Sequence, residues 1–459
     1  MKQFDLIIIG AGRASNLAIT ASKKGKKVAL IEKSKLGGTC PNRGCLPSKL
    51  LIGYAHVART IKESQRHFID SHIDHIDVGK IFKEINHYVE GVDARYNSRM
   101  DKNIEVFKGT GTFISNNIVK VNDQELTAPK IVIATGTRPI EAAYEKAWTS
   151  DDIFPLIDTI PKSITIVGSG FIACELANFF DAVGIKTKLL VRSENLLSNE
   201  DKDISAIFKE QISKTLDIEF NTSIKKIDHQ NKEFNLILEN KDGSIKNHTS
   251  QALLYATGRK ANTDTLNLQN TDIQIEERGF IKRDEFFETT AKGVYVVGDA
   301  AGEHMLQHAA AYEVNHLGKI LLEDEKEPLV FKYMPHAVFS EPEIASVGIS
   351  EQKAKEKKIE YITSTTDWLA SAKAMSMRTK YPRTKFIVDP NSYKILGCHM
   401  IGPDSATMIH QVLSILHIDN DIRHLKEMLY IHPALSEALL PAAVNAVKEI
   451  EKYMENQKR

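Results

Sequence analysis

Leu6-Ile7-Ile8-Ile9-Gly10-Ala11-Gly12-Arg13-Ala14-Ser15 is the stretch that decides the fold of this chain. Four consecutive apolar residues read as a buried strand, and the glycines after them open a helix that ends near Lys24-Gly25. A second strand is expected over Lys27 to Ile31 and ends at Glu32, 22 residues after Gly10. This is the βαβ pattern that holds a dinucleotide. Gly10 makes the tight turn, and Gly12 lets the backbone approach a pyrophosphate at the helix N-terminus. Ser15 takes the third glycine position, and Glu32 is placed to accept from a ribose 2′-hydroxyl.

The same architecture recurs further on. Ser163 to Val167 leads into Gly168-Ser169-Gly170-Phe171-Ile172-Ala173, followed by a helix through Ala182 and a strand from Lys186 to Val191. A repeat of this kind implies two dinucleotides. Arg192 follows the second strand, 24 residues after Gly168, where an acid favours NAD. An arginine there can pair with a 2′-phosphate and points to NADP. Glu194 can take the ribose instead, and a solvated loop residue is the plain alternative for Arg192. Two more segments share one layout: Lys130 to Ile133 into Ala134-Thr135-Gly136, and Ala252 to Tyr255 into Ala256-Thr257-Gly258. Each is expected to close the sheet of its own half. A last strand, Val294 to Val297, runs into Gly298-Asp299, and an acid at a strand's C-terminal end suits ligand hydroxyls. An isolated Asp in that position is more often an N-cap.

Between the first two strands and the rest lies Gly37-Gly38-Thr39-Cys40-Pro41-Asn42-Arg43-Gly44-Cys45-Leu46-Pro47-Ser48-Lys49. The cysteine pair reads as a redox-active disulfide. In a regular helix, residues five apart have Cα atoms roughly 8 to 9 Å apart, beyond the ~7 Å that a disulfide spans. Bridging Cys40 and Cys45 therefore requires a distorted turn, which Pro41 and Gly44 permit. Half a zinc site and two unrelated thiols are the alternatives. A zinc site wants more ligands at short spacing, and the nearest histidine, His56, is eleven residues past Cys45. Cys174 and Cys398 stand alone in apolar company and read as small buried hydrophobes. His67, His72 and His75, interleaved with Asp70, Asp74 and Asp77, read as a solvated connection, so no metal is expected.

A chain of 459 residues exceeds what one core serves, so several domains are expected. Lys plus Arg and Asp plus Glu are both 60, which argues against nucleic-acid or membrane-surface binding by bulk charge. No span approaches the ~20 apolar residues of a membrane helix, and the apolar run before Gly10 is too short for a signal peptide's core. Few cysteines in a long chain fit a reducing compartment, so a cytoplasmic location is expected.

These motifs, with Ile431-His432-Pro433-Ala434-Leu435-Ser436-Glu437 near the end, resemble the pyridine nucleotide-disulfide oxidoreductases over the whole chain. The resemblance implies an α/β fold with two Rossmann-like domains, for FAD and for NADH or NADPH, plus a C-terminal α+β dimerisation domain. The expected divisions are an FAD domain over 1–145, a nucleotide domain over 146–265, a central segment completing the FAD site over 266–335, and a dimerisation domain over 336–459. Cys40 becomes the thiol that exchanges with the external disulfide, and Cys45 the sulfur that meets the flavin. On the same resemblance Lys49 would lie near the flavin and pair with Glu175, while Asp299 would bind the ribityl chain. Gly38, Thr39 and Gly136 join the FAD site; Gly170, Ala173 and Gly258 join the nucleotide half. His432, held by Glu437, becomes the base, supplied by the partner subunit of a homodimer.

Within the family, Met305-Leu306-Gln307-His308-Ala309 and Phe339-Ser340-Glu341-Pro342-Glu343 look like dihydrolipoamide dehydrogenase. Arg192 stands where those enzymes carry an acid, and Phe171 where glutathione reductases place an aromatic lid. Those reductases usually add a second Arg at the position that is Ser198 here. The expected substrate is a lipoyl group, with glutathione or another small disulfide as the alternative and a 2-oxo acid dehydrogenase complex as a possible assembly. A transhydrogenase or NADH oxidase would not need the cysteine pair, and a non-catalytic flavoprotein would not need Cys40, Cys45, His432 and Glu437 together.

Overall fold

The computed structural model describes residues 1–154 and 159–458. The chain divides into two compact units, one of residues 1–51, 77–160 and 258–331, the other of 52–76, 161–257 and 332–459.

The first unit is built on a five-stranded parallel sheet. Leu6–Ile9 lies at its centre, flanked by Ile131–Ile133 and Val294–Val296 on one side and Val28–Glu32 and Ile104–Lys108 on the other. Successive strand residues point to opposite faces, and both faces are buried here. Leu6, Ile8, Val28 and Leu30 pack with Leu17, Val314 and Leu317, which come from the helices Ser15–Lys23 and Gln307–Glu323. Ile7, Ile9, Ala29 and Ile31 pack with Phe113, Val119 and Leu126, residues of a separate four-stranded sheet. Burial on both sides explains why these strands are apolar without alternation.

Besides a three-stranded antiparallel sheet over residues 222–250, the second unit holds two sheets of different kinds. One is a parallel sheet in which Ser163–Val167 is flanked by Ala252–Tyr255 and by Lys186–Leu190, which in turn pairs with Asp217–Glu219. The other is a five-stranded antiparallel sheet in the order His336–Val338, Ile344–Gly348, Ile395–Ile401, Arg383–Val388, Ile362–Asp367. Helices Ser405–Ile418 and Leu439–Gln457 supply much of the core on its face, around Phe386, Met400, Val412 and Leu439. The strands from the sequence are all present, although Lys27, Lys130, Val191 and Val297 fall just outside them. Cys174 and Cys398 are fully buried, and burial pushes both thiols well up.

A buried ion cluster ties the two layers of the second unit together. Lys385, 1% exposed, donates to Asp201 at 2.9 Å, Asp203 at 2.6 Å and Glu351 at 2.7 Å. Beside it Glu200 accepts from Ser346 and meets His336, each at 2.8 Å.

Candidate active site

The two halves named by the glycine motifs have one local geometry. Gly10 N–H donates to Ile31 and Ala134 N–H to Ile9; in the second unit Gly168 N–H donates to Leu190 and Ala256 N–H to Val167. Gly10 has φ +106°, and a Cβ there would lie 2.3 Å from the Ala134 carbonyl oxygen; Gly168 has φ +150°, with 2.5 Å to the Ala256 oxygen. The contact is with backbone, so no rotamer relieves it. Gly10→Ala is therefore expected to strip the flavin and to cost about 2 kcal/mol or more. The ratio of flavin to protein absorbance in the purified protein checks this, and full flavin content would contradict it.

In the first unit the cleft above the sheet is lined by Gly10, Gly12, Glu32, Gly38, Thr39, Cys40, Gly136 and Asp299, all singled out from the sequence. Ser15 donates to the Gly12 carbonyl at 2.6 Å, which holds the turn. Glu32 is buried, and its two oxygens accept from Ala11 N–H and Ser34 N–H, both at 2.8 Å. Asp299 accepts from the Thr137 hydroxyl at 2.8 Å, and burial pushes its carboxyl above the usual range. Four further residues lining the cleft were not legible in the sequence: Arg13, Asn42, Thr135 and Asp151. Each has a buried polar atom with no protein partner among the described residues, namely Arg13 Nε, Asn42 Oδ1, Thr135 Oγ1 and Asp151 Oδ1. Buried polar groups need hydrogen bonds, so this cleft is built for a polar ligand, and a flavin dinucleotide fits it.

Asn42 also shapes the loop before the cysteines, since its amide donates to the Leu36 and Gly38 carbonyls at 3.0 and 2.9 Å. The helix that would separate Cys40 from Cys45 is broken at Gly44, between the segments Thr39–Arg43 and Cys45–Lys62. The distortion that the pair requires thus sits at the glycine between them. The two thiols are hydrogen-bond neighbours. That contact, reinforced by burial, holds the Cys40 thiol far above its usual value, while Arg13 pulls the other way. Cys40 is half-buried on the cleft and Cys45 is exposed.

The second unit carries most of the remaining predicted residues. A Cβ on Gly170 would meet nothing within 4 Å, leaving open space over the turn. Phe171 starts the Phe171–Ala182 helix with 46% of its surface exposed. Ala173 and Glu175 are buried one turn on, and Glu175 accepts from Phe339 N–H at 2.9 Å. Arg192 and Glu194 are both exposed in the loop after the Lys186–Leu190 strand. Lys49 and Gly258 belong to the first unit. His432 Nδ1 lies 2.9 Å from Glu437 Oε1, and the other Glu437 oxygen accepts from Ala434 N–H at 3.2 Å. His432 is 76% exposed and Glu437 is largely covered, so the carboxylate is fixed and orients the imidazole. His72 and Asp74 pair on the surface, and no group of metal-binding side chains occurs among the described residues.

The chain belongs to the pyridine nucleotide-disulphide oxidoreductase family, whose model matches residues 4–313, with the family's dimerisation domain matching 334–443. Family members use FAD and NAD(P)H. The chain is 30% identical to dihydrolipoyl dehydrogenase of Buchnera aphidicola, covering 95% of this chain and 94% of that protein. It is 31% identical to mycothione reductase of Mycobacterium tuberculosis, covering 96% and 98%. Among solved structures it is similar to the HOCl-induced flavoprotein disulfide reductase RclA from Escherichia coli, with a TM-score of 0.84, 27% identity, and 96% and 99% of the two chains covered. No helix among the described residues is long and apolar enough to cross a membrane.

Proposed function

We propose that this chain passes electrons between a nicotinamide dinucleotide and a dithiol through the Cys40–Cys45 pair, with dihydrolipoyl groups as its substrate. The observation that supports this most directly is the adjacency of the two thiols across the break at Gly44, with Cys40 on the cleft. With the pair oxidised, a substrate thiolate attacks Cys40 Sγ, the Cys40–Cys45 bond breaks, and Cys45 leaves as the thiolate. The second substrate thiol loses its proton to His432 and attacks its neighbouring sulfur, which closes the substrate disulfide and releases Cys40. The substrate has then lost two electrons and the cysteine pair has gained them. FAD supplies the two-electron relay between this pair and the nicotinamide. Gly10, Gly12, Ser15, Glu32, Gly38, Thr39, Lys49, Gly136 and Asp299 hold it; Gly168, Gly170, Ala173, Glu175, Arg192 and Gly258 serve the nicotinamide dinucleotide. Glu437 keeps His432 in one tautomer and stabilises its imidazolium.

The working form in this reading is a homodimer in which His432 and Glu437 of each chain serve the cysteines of the other. Leu429 at 97% exposure and Ile431 at 80%, beside His432, support a covered face there.

A second reading is NADPH-driven reduction of glutathione disulfide or another small disulfide, and Arg192 favours it. Its guanidinium has no carboxylate partner among the described residues and is open to a 2′-phosphate. Steady-state turnover of dihydrolipoamide with NAD or NADP, beside glutathione disulfide with NADH or NADPH, separates the two. Fast dihydrolipoamide oxidation with NAD is expected; slow lipoyl turnover with a clear NADPH preference would move the assignment to the second reading. In either case Arg192→Glu is expected to shift the NADPH to NADH ratio of kcat/KM toward NADH by about 10-fold, the value of one charge-assisted contact. An unchanged ratio would make Arg192 a surface residue.

A further inference from the structure

The second unit contains a cavity of about 490 Å³ that none of the residues assigned above lines. That volume suits a small-molecule ligand. Its cations are Arg59, Arg66, Lys214, Arg378, Lys380 and Arg383, set against the carboxylates Glu63, Glu210 and Glu341. Half of the cations are already neutralised: Arg59 by Asp181 at 2.7 Å, Lys214 by Glu210 at 2.9 Å, and Arg66 by Glu63. The other three, all from one short segment, have no carboxylate partner among the described residues. The Arg378 guanidinium lies 4.4 Å over the Phe68 ring, and Arg383 donates to the carbonyls of Lys380 and Pro382 at 2.7 and 2.8 Å.

Two further observations mark this segment. Thr379 Oγ1, between the first two of these cations, is buried and makes no hydrogen bond to protein among the described residues. Leaving a buried hydroxyl unmatched costs free energy, so the position suits a ligand oxygen. Arg378 itself sits in the left-handed region at φ +53°, an unfavourable conformation for an arginine. Tyr381 completes the segment's lining, and burial pushes its phenol up, so it keeps its proton. Arginine, lysine, threonine and tyrosine thus offer N–H and O–H donors together. A fully ionised phosphoryl group, which accepts only, matches that set, and arginine binds it in two-point fashion.

We propose that this cavity binds a small phosphorylated anion, its phosphoryl oxygens held by Arg378, Thr379, Lys380 and Arg383. Inorganic polyphosphate and a sugar phosphate share that chemistry.

The test is calorimetric titration of the full-length, FAD-loaded protein with tripolyphosphate and with ribose 5-phosphate, using citrate as the control anion. Saturable binding of one phosphoryl probe per chain is expected, tighter than citrate. Binding of tripolyphosphate alone points to polyphosphate, and binding of ribose 5-phosphate points to a phosphate ester. The Arg378→Ala/Lys380→Ala protein is expected to bind at least about 10-fold more weakly. Lys380→Glu serves as a second variant that leaves the Phe68 stack in place, and is expected to weaken binding likewise. Arg192→Glu is expected to bind as the parent does, which separates this cavity from the nucleotide half. The proposal is overturned if neither probe gives saturable heat, if citrate binds as tightly, or if the probe is lost with Arg192→Glu and kept in both cavity variants.

Discussion

A Cys45→Ser protein is expected to purify yellow, with its flavin content unchanged, and to lose dithiol–nicotinamide turnover by on the order of 10⁴-fold. The flavin should stay because the residues lining the first-unit cleft, from Gly10 to Asp299, are untouched and a serine fills nearly the space of the cysteine. Turnover should fall because a serine oxygen cannot form the second half of a disulfide, and Cys40 alone cannot hold two electrons reversibly. Reduction of the flavin by the nicotinamide nucleotide should survive. Rapid-mixing flavin absorbance and steady-state dithiol oxidation, measured on one preparation, read the two halves separately. Dithiol turnover within about 10-fold of the parent would sink the role given to the pair.

The second large effect lies in the ion cluster. Lys385→Met leaves Asp201 fully buried with its charge uncompensated, and breaking a buried pair from one side costs about 3 to 5 kcal/mol. The thermal midpoint should fall by roughly 10 °C. Asp201→Asn in the same protein should recover most of the loss, since both charges are then gone. A midpoint within about 2 °C of the parent for the single variant would show that Lys385 is not structural. The cluster also sets an acid limit. Contacts with Lys355 and Lys385 hold Glu351 down at about 2. Burial raises Asp201, but Lys385 and Glu351 N–H outweigh it and keep its carboxyl low. Groups depressed on folding stabilise fully above their unfolded values and lose that contribution as pH falls through the folded ones. Unfolding midpoints should therefore drop between about pH 4.5 and 2, less so in Lys385→Met.

Much of the frame was legible because its signals are local. The strand–glycine–helix units at Gly10 and Gly168 need only a few adjacent residues, and apolar runs such as Leu6–Ile9 declare burial on both faces. His432 and Glu437 are five apart, close enough for a motif to bring them together. What escaped depends on contacts distant in sequence. Lys385 carries no motif, and its burial comes from a carboxylate 184 residues away in sequence. Arg13, Asn42, Thr135 and Asp151 are ordinary polar residues whose orphaned atoms appear only once the cleft exists. The ends of strands slipped by a residue at Lys27 and Lys130, where a long polar side chain leaves the apolar pattern ambiguous.

The order of the strands in the first parallel sheet bears on how the chain is made. Ile131–Ile133 pairs on one side with Leu6–Ile9 and on the other with Val294–Val296. During synthesis the first four strands of the sheet emerge early, but the closing strand arrives about 160 residues later, roughly 10 to 30 s at ribosomal speed. For that interval the nascent sheet presents a short, apolar, hydrogen-bond-hungry edge, the kind of surface that recruits chaperones or neighbouring chains. Asp299, which lines the cleft proposed above for FAD, lies just beyond that strand, so in that reading the site is completed only then. If the cleft holds the flavin as proposed, loading comes late in synthesis, and a truncation before residue 294 is expected to leave a colourless, aggregation-prone product, read by flavin absorbance and light scattering.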